Sequence, residues 1–242
     1  MSLYIVGFGA GNEDGMTLAA KKAIEKSDLV VGYTVYTELM KKIFPDKEYF
    51  HTPMTQERER CQKAVETAAK GKNVSIICSG DSGVYGMASL ALEIAADYPG
   101  LKTEVIPGVT SALSAGAIAG APLGHDFAVI SLSDLLTPWE KIEKRLECAA
   151  EGDFAIAIYN PSSKKRHDYL KKACDILLRY KSGDTVCAAA KNVGREGESY
   201  SVMTLMELRD YEADMFTTVF VGSSQTKNIN GKMVTPRGYK NV

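Results

Sequence analysis

The sequence predicts a two-domain α/β protein, and three observations carry that prediction. Short apolar, β-branched runs alternate with amphipathic helical patterns along the chain. Glycine loops stand where several of those runs give way to helices. A Pro107-Gly108 pair divides two stretches that each show the alternation. At 242 residues the chain is long enough for one large domain or two smaller ones with their own cores. The expected boundary gives an N-terminal domain over 1–107 and a C-terminal domain over 108–242.

Taken in order, residues 3–8 read as a buried strand and 16–26 as a helix with Leu18, Ala20, Ala23 and Ile24 on one face. Strands follow at 28–31 and 48–51, with a helix at 35–43. Residues 56–70 form a charged helix stopped by Gly71, and Glu57-Arg58-Glu59-Arg60 is expected to be its solvated face. A strand at 73–79, a helix at 84–97 and a strand at 102–106 complete the first half. The small residues of 111–119 suit a helix packed closely on its neighbours. Beyond it, strands are expected at 127–132, 154–159, 185–190 and 217–221, helices at 139–150 and 166–180, and an edge strand at 199–205.

Composition narrows the function classes. The net charge of −1 gives no electrostatic footprint for nucleic acid or an anionic membrane. No apolar run approaches the roughly 20 residues of a membrane span, and MSLYIVGFGAG lacks the charged lead and cleavage site of a signal peptide. Five cysteines, an odd number without a CxxC pair, argue against a disulfide framework or a protein-bound metal; Cys78 and Cys187 fall in strands and are expected to be buried thiols. A cytoplasmic location is the expectation.

Gly7-Phe8-Gly9-Ala10-Gly11 joins the first strand to the first helix, where glycines permit a tight turn and close approach of a ligand to the backbone. A dinucleotide loop needs a third glycine where Asn12 stands, and an acidic residue where the second strand ends in Val31-Gly32-Tyr33. Both supports are missing. The plainer reading is a turn that presents N–H groups, with Asp14 capping the next helix. A second loop, SGDSGVYG (79–86), leaves a buried strand at its carboxyl end, where open α/β sheets bind ligands. There Asp81 either meets a small ligand or, with Ser82, caps a helix. Pro107-Gly108-Val109-Thr110-Ser111 is a third such turn, whose hydroxyls suit a cap and a ligand contact alike.

The most distinctive segment is HDFAVISLSDLLTPWEKIEKRL (125–146), a short strand, an acidic turn and a helix start at Thr137-Pro138. With it, GFGAGNEDGMT (7–17), SGDSGVYGMAS (79–89), PGVTSA (107–112), IYNPSS (158–163) and FVGSS (220–224) resemble, in order and over essentially the full chain, the tetrapyrrole methylase family. Segment 125–146 and the IYNPSSKKR that follows most resemble the branch that methylates ring carbon 17 in cobalamin biosynthesis. Ala10 departs from the proline of many members, which leaves that loop less rigid.

The resemblance implies a class III methyltransferase fold of two α/β domains with a cofactor cleft between them, in a homodimer. It implies S-adenosyl-L-methionine as methyl donor, S-adenosyl-L-homocysteine as product, and a precorrin-3B-type tetrapyrrole methylated at carbon 17 with ring contraction. Whether that substrate carries cobalt is left open. The cofactor positions it implies are Ser79, Gly80, Asp81, Val84, Thr110, Ser111, Asn160, Ala188, Ala189 and Thr218. The N-terminal domain, with Gly9, Ala10 and Gly11 and Asp14 nearby, is implied to line the tetrapyrrole trough.

Methyl transfer from a sulfonium asks the protein mainly for alignment, so no nucleophile-base set is expected. Ring contraction moves protons and would use an acid or base; His125, Asp126 and Asp134 are the candidates. Against those roles, His125 also reads as an exposed loop histidine and Asp134 as a turn cap. Lys164 and Arg166, in the one dense basic cluster, suit the substrate's carboxylates, although the cluster also reads as a solvated helix start. Trp139 faces the macrocycle or packs at its helix start. The alternatives are a tetrapyrrole methylase acting at another ring carbon, a nucleotide-dependent oxidoreductase, and a non-catalytic module for a small anion.

Overall fold

β-Branched, alternating strands and short connecting helices organise the computed structural model, which describes residues 2–163 and 166–239. The chain divides into two α/β units, Met1–Ser111 and Ala112–Val242. The first is a parallel sheet. Its strands are β1 (Ser2–Gly7), β2 (Leu29–Tyr33), β3 (Glu48–Thr52), β4 (Val74–Cys78) and β5 (Lys102–Ile106), in the order β3-β2-β4-β1-β5. Every neighbouring pair is parallel, so all five carboxyl ends lie on one edge. Helices α1 (Leu18–Lys26), α2 (Thr34–Ile43), α3 (Glu57–Ala69) and α4 (Ala88–Ala95) provide the crossovers.

Burial on both faces explains why β1 and β4 read as continuous apolar runs. One face packs Leu3, Ile5, Val74 and Ile76 against α3 and α4; the other packs Val6, Val30 and Ile77 against Ala20, Ile24 and Met40 of α1 and α2. Fully burying side chains of this kind contributes about 1.5–3 kcal/mol each. Cys78 is buried as expected, and burial pushes its thiol up to about 11, so it remains protonated and unreactive.

The second unit begins with α5 (Ser111–Ala119, with Ser111 the last residue of the first unit) and β6 (Gly120–Ala121). It continues through β7 (Phe127–Ser131), α6 (Trp139–Glu151), β8 (Ala155–Tyr159), α7 (Tyr169–Leu177), β9 (Val186–Lys191), β10 (Ser199–Thr204), α8 (Leu205–Leu208) and β11 (Thr217–Val221). Its sheet has the order β10-β9-β11-β8-β7 and is mixed: β7 and β8 run parallel, while β11 is antiparallel to both β8 and β9. A small sheet of β12 (Lys227–Ile229), β13 (Lys232–Val234) and β6 closes the unit. On one face of the main sheet, Ala112, Ala115 and Ala119 of α5 pack with Ala157, Ala188, Ala190 and Phe220. Small residues on both sides let helix and strands approach closely. Among the described residues, no helix is long and apolar enough to cross a membrane.

Several expectations need correction. The helix expected from residue 84 begins only at Ala88. Tyr85 there has a left-handed backbone (φ 53), and a Cβ on Gly86 would stand 2.3 Å from the Ser82 carbonyl oxygen. The helix expected over 166–180 covers only Tyr169–Leu177. Asp14 does not cap α1. Thr17 does, its hydroxyl accepting from the Ala20 amide at 3.1 Å, while Asp14 is exposed in the preceding loop. Arg60 is not on a solvated face; it is only 3% exposed and shares the buried side of α3 with Cys61, Ala64, Val65 and Ala68.

Candidate functional site

Three glycine-bearing loops meet at the carboxyl edge of the first sheet, after β4, β1 and β5. Phe8 donates its amide to the Cys78 carbonyl at 2.9 Å, which carries β1–β4 pairing one step past the strands. Gly9 and Gly80 then exchange both backbone hydrogen bonds, at 3.0 and 2.8 Å. Their positive φ angles, 76° and 69°, turn the two loops away from that contact. The third loop is pressed against both: a Cβ on Gly108 would fall 2.1 Å from the Gly80 carbonyl oxygen and 2.5 Å from the Gly7 carbonyl carbon.

Asp81 fastens this arrangement with its side chain. One carboxylate oxygen accepts from the amides of Gly83 (2.8 Å) and Val84 (3.2 Å), and the other from the amide of Gly108 at 2.9 Å. Sequence reasoning offered a ligand contact or a cap; the carboxylate is a brace across two loops. A second tie reaches in from the first loop, where the Thr17 hydroxyl donates to the Pro107 carbonyl at 3.2 Å. Thr110 and Ser111 lie against Gly80, with the Thr110 Cα and the Ser111 amide 3.5 Å from the position of a Gly80 Cβ, and Ser79 precedes it in the chain. Gly9 and Gly11 are buried and Ala10 is partly exposed. No lysine or arginine occurs in 7–11, 79–87 or 107–111, and Asp81 is their one charged residue.

In the second unit, the expected residues fall in three places. Asn160 follows β8 with a left-handed backbone (φ 53), which asparagine tolerates, and donates to the Ser131 hydroxyl at 2.9 Å. Thr218 lies near the start of β11 and so shares that sheet edge. Ala188 and Ala189 are mid-strand in β9, between β10 and β11, with 0% and 1% of their surface exposed. The Tyr159 hydroxyl accepts from the Ala112 amide at 2.7 Å and so satisfies an N-terminal amide of α5.

The acidic turn before α6 is also braced. Asp134 accepts from the Arg166 guanidinium at 3.1 Å and from the Tyr169 hydroxyl at 2.7 Å; Arg166 also donates to Ser133 and Ser163. Trp139 packs on the Tyr169 ring with centroids 4.7 Å apart, the packing role rather than an open face. The arrangement ties Ser133 and Asp134 to Arg166 and Tyr169, and it leaves Leu135 and Leu136 exposed at the tip. Lys164 lies outside the described residues. His125 and Asp126 precede β7 with 61% and 81% of their side chains exposed, and the His125 Nδ1 lies 3.3 Å from the Asp126 carboxylate.

The Tyr169 hydroxyl bond, opposed by burial and aided by Arg166, holds the Asp134 carboxyl below its ordinary value of 3.8; the same bond pushes the Tyr169 hydroxyl upward. Asp134 therefore stays ionised at neutral pH and is a poor proton donor. A depressed carboxyl contributes stability that is present above its unfolded value and is lost as pH falls through the lower folded value. That loss is confined to the acid limb below about pH 4 and, for a group this exposed, is under about 1 kcal/mol. Tyr169→Phe removes the largest cause. A carboxyl titration followed by nuclear magnetic resonance is expected to show Asp134 moving up toward its ordinary value, and an unmoved Asp134 counts against the assignment.

Comparison with known proteins follows the same lines. A family model described as Tetrapyrrole (Corrin/Porphyrin) Methylases matches residues 2–209. The chain is 44% identical over 238 residues to a Salmonella typhimurium protein named probable cobalt-factor III C(17)-methyltransferase, covering 98% of this chain and 99% of that one. It is 43% identical over 243 residues to a Priestia megaterium cobalt-factor III methyltransferase, where it spans 98% of its own length but only 45% of the relative's. The crystal structure of the methyltransferase CobJ superposes with a TM-score of 0.89 at 38% identity, over 97% of this chain and 99% of the other.

Proposed function

We propose that this chain, which belongs to the tetrapyrrole methylase family, transfers a methyl group from S-adenosylmethionine to ring carbon 17 of a cobalt-factor III type macrocycle in cobalamin biosynthesis, with contraction of the ring. The observation that carries the reading is the three-loop junction at the carboxyl edge of the first sheet, built from backbone groups, hydroxyls and the single carboxylate of Asp81. Such a donor set suits a cationic sulfonium cofactor. A pyrophosphate would ask for cationic side chains or the missing third glycine, so the oxidoreductase reading loses its remaining support.

The cofactor supplies an activated methyl group, and the chain supplies alignment. Ser79, Gly80 and Asp81 with Val84, and Thr110 with Ser111, would hold it from the first unit. Asn160 and Thr218 would serve from the second, with Ala188 and Ala189 contributing through the packing they support rather than through exposed surface. Gly9, Ala10, Gly11 and Asp14 would face the macrocycle, and Lys164 its carboxylates. Arg166, engaged with Asp134 and Ser133, would act chiefly by fixing the 133–138 turn. For the proton movements of ring contraction, His125 beside Asp126 is the better-suited candidate, because its exposed imidazole offers ring nitrogens that can both donate and accept, while Asp134 is held ionised by its partners. Action as a homodimer in the cytoplasm belongs to the same reading, and a solution mass of twice the chain is its check.

Calorimetric titration with S-adenosylhomocysteine, with NAD in parallel, tests the cofactor assignment. Micromolar binding of the first and none of the second is expected. Binding of NAD alone would return the 7–11 loop to a nucleotide reading.

A further inference from the structure

Arg60 is a buried cation that neither the glycine loops nor the acidic turn explains. Among the described residues no carboxylate lies within ion-pair distance of it, and only 3% of it is exposed. Burying an ionised group without a counter-charge is costly unless good hydrogen bonds replace its hydration. Arg60 has three acceptors, and they come from two separate segments, Thr52-Pro53 and Met87. Nε donates to the Thr52 hydroxyl at 2.9 Å, Nη2 to the Pro53 carbonyl at 3.0 Å and Nη1 to the Met87 sulfur at 3.3 Å. The ring of Tyr33 stands 6.0 Å from the guanidinium carbon.

Tyr33 ends β2, Thr52 ends β3, and Met87 closes the loop that leaves β4. The guanidinium therefore joins the carboxyl ends of three neighbouring strands. The 79–87 loop is held at its start by the Gly9–Gly80 pairing and by Asp81 on Gly108. Its other end is held at Met87, whose amide donates to the Cys78 sulfur at 3.5 Å and whose own sulfur accepts from Arg60. Val84 and the left-handed Tyr85 lie between these anchors.

We propose that Arg60 is a positioning residue for S-adenosylmethionine binding, fixing the Val84–Met87 end of the cofactor loop against the ends of β2 and β3. The proposal rests on the cofactor reading given above. A residue that only fills space in α3 would, on replacement, lower stability and leave the ligand affinity of the folded protein alone. A positioning residue changes that affinity.

The test compares wild type, Arg60→Lys, Arg60→Met and Met87→Leu. Thermal midpoints are measured separately, and calorimetric titration with S-adenosylhomocysteine is run below each transition. Met87→Leu keeps the core volume and removes only the sulfur acceptor, so it carries the test if the Arg60 variants do not fold. Expected are an affinity loss of about 10-fold or more in Arg60→Met, a smaller loss in Arg60→Lys, and about 3-fold in Met87→Leu, each within reach of one or two lost hydrogen bonds. In turnover, KM for S-adenosylmethionine rises while KM for the macrocycle does not. Folded variants with wild-type affinity, whatever their midpoints, overturn the proposal. Failure of the wild type itself to bind S-adenosylhomocysteine removes the cofactor reading first, and this inference with it.

Discussion

Gly108→Ala is expected to lower both stability and cofactor affinity, although it adds one methyl group. The new Cβ meets the Gly80 carbonyl oxygen at 2.1 Å and the Gly7 carbonyl at 2.5 Å. These are backbone atoms, and Gly7 ends a strand paired on both sides with β4 and β5, so no side chain can swing away to relieve the clash. Overpacking of this kind costs about 1–3 kcal/mol. The strain would fall on the bonds that knit the loops, the Asp81–Gly108 contact and the Gly9–Gly80 pair. S-adenosylhomocysteine affinity is expected to drop on the order of 10-fold or more, equivalent to about 1.4 kcal/mol or more. Gly183→Ala is the matched control: its nearest neighbour is the Met206 Cβ at 3.8 Å. That change is expected to stay within about 0.5 kcal/mol of wild type. A Gly108→Ala protein with unchanged melting and affinity would mean the loops are free to part.

Asp81→Ala is the second large effect. It leaves the amides of Gly83, Val84 and Gly108 without their acceptor. Bonds to a charged acceptor contribute about 1.5–3 kcal/mol in sheltered settings; here water replaces part of them, so a loss of about 2–3 kcal/mol is expected. Asp81→Asn distinguishes shape from charge. Its amide keeps one accepting oxygen, which serves either the Gly83 and Val84 amides or the Gly108 amide but not both sets. Its stability and affinity are expected to fall between those of wild type and Asp81→Ala. Denaturant titration together with calorimetry separates the outcomes. Destabilisation at unchanged affinity makes Asp81 part of the architecture alone, and no change in either removes it from the site.

Much of this was legible in the residues. β1, β4 and β11 announce themselves as short apolar runs because both of their faces are covered. The glycine loops could be placed because each follows such a run. Long-range partners were not legible: nothing local says that Asp81 reaches Gly108 or that Asp134 reaches Tyr169. Arg60 was misread through composition, since it stands in a run of alternating charges. Its spacing carried the signal, because 60, 64 and 68 fall on one side of a helix. The small hairpin β12–β13 was missed although Asn230-Gly231 between its strands, with φ of 50° and 78°, is a strong two-residue turn signal. Its three-residue strands were too short to show alternation.

Carbon-17 methylation is tested most directly by following the methyl group. The purified protein is incubated with S-adenosylmethionine carrying a carbon-13-labelled methyl and with a cobalt-loaded or a metal-free macrocycle, and the product is read by nuclear magnetic resonance. The expected result is one labelled methyl on ring carbon 17 of a contracted ring, formed from the cobalt-loaded substrate with one S-adenosylhomocysteine released per turnover. A labelled methyl on any other ring carbon, or cofactor binding with no transfer to either macrocycle, would contradict it.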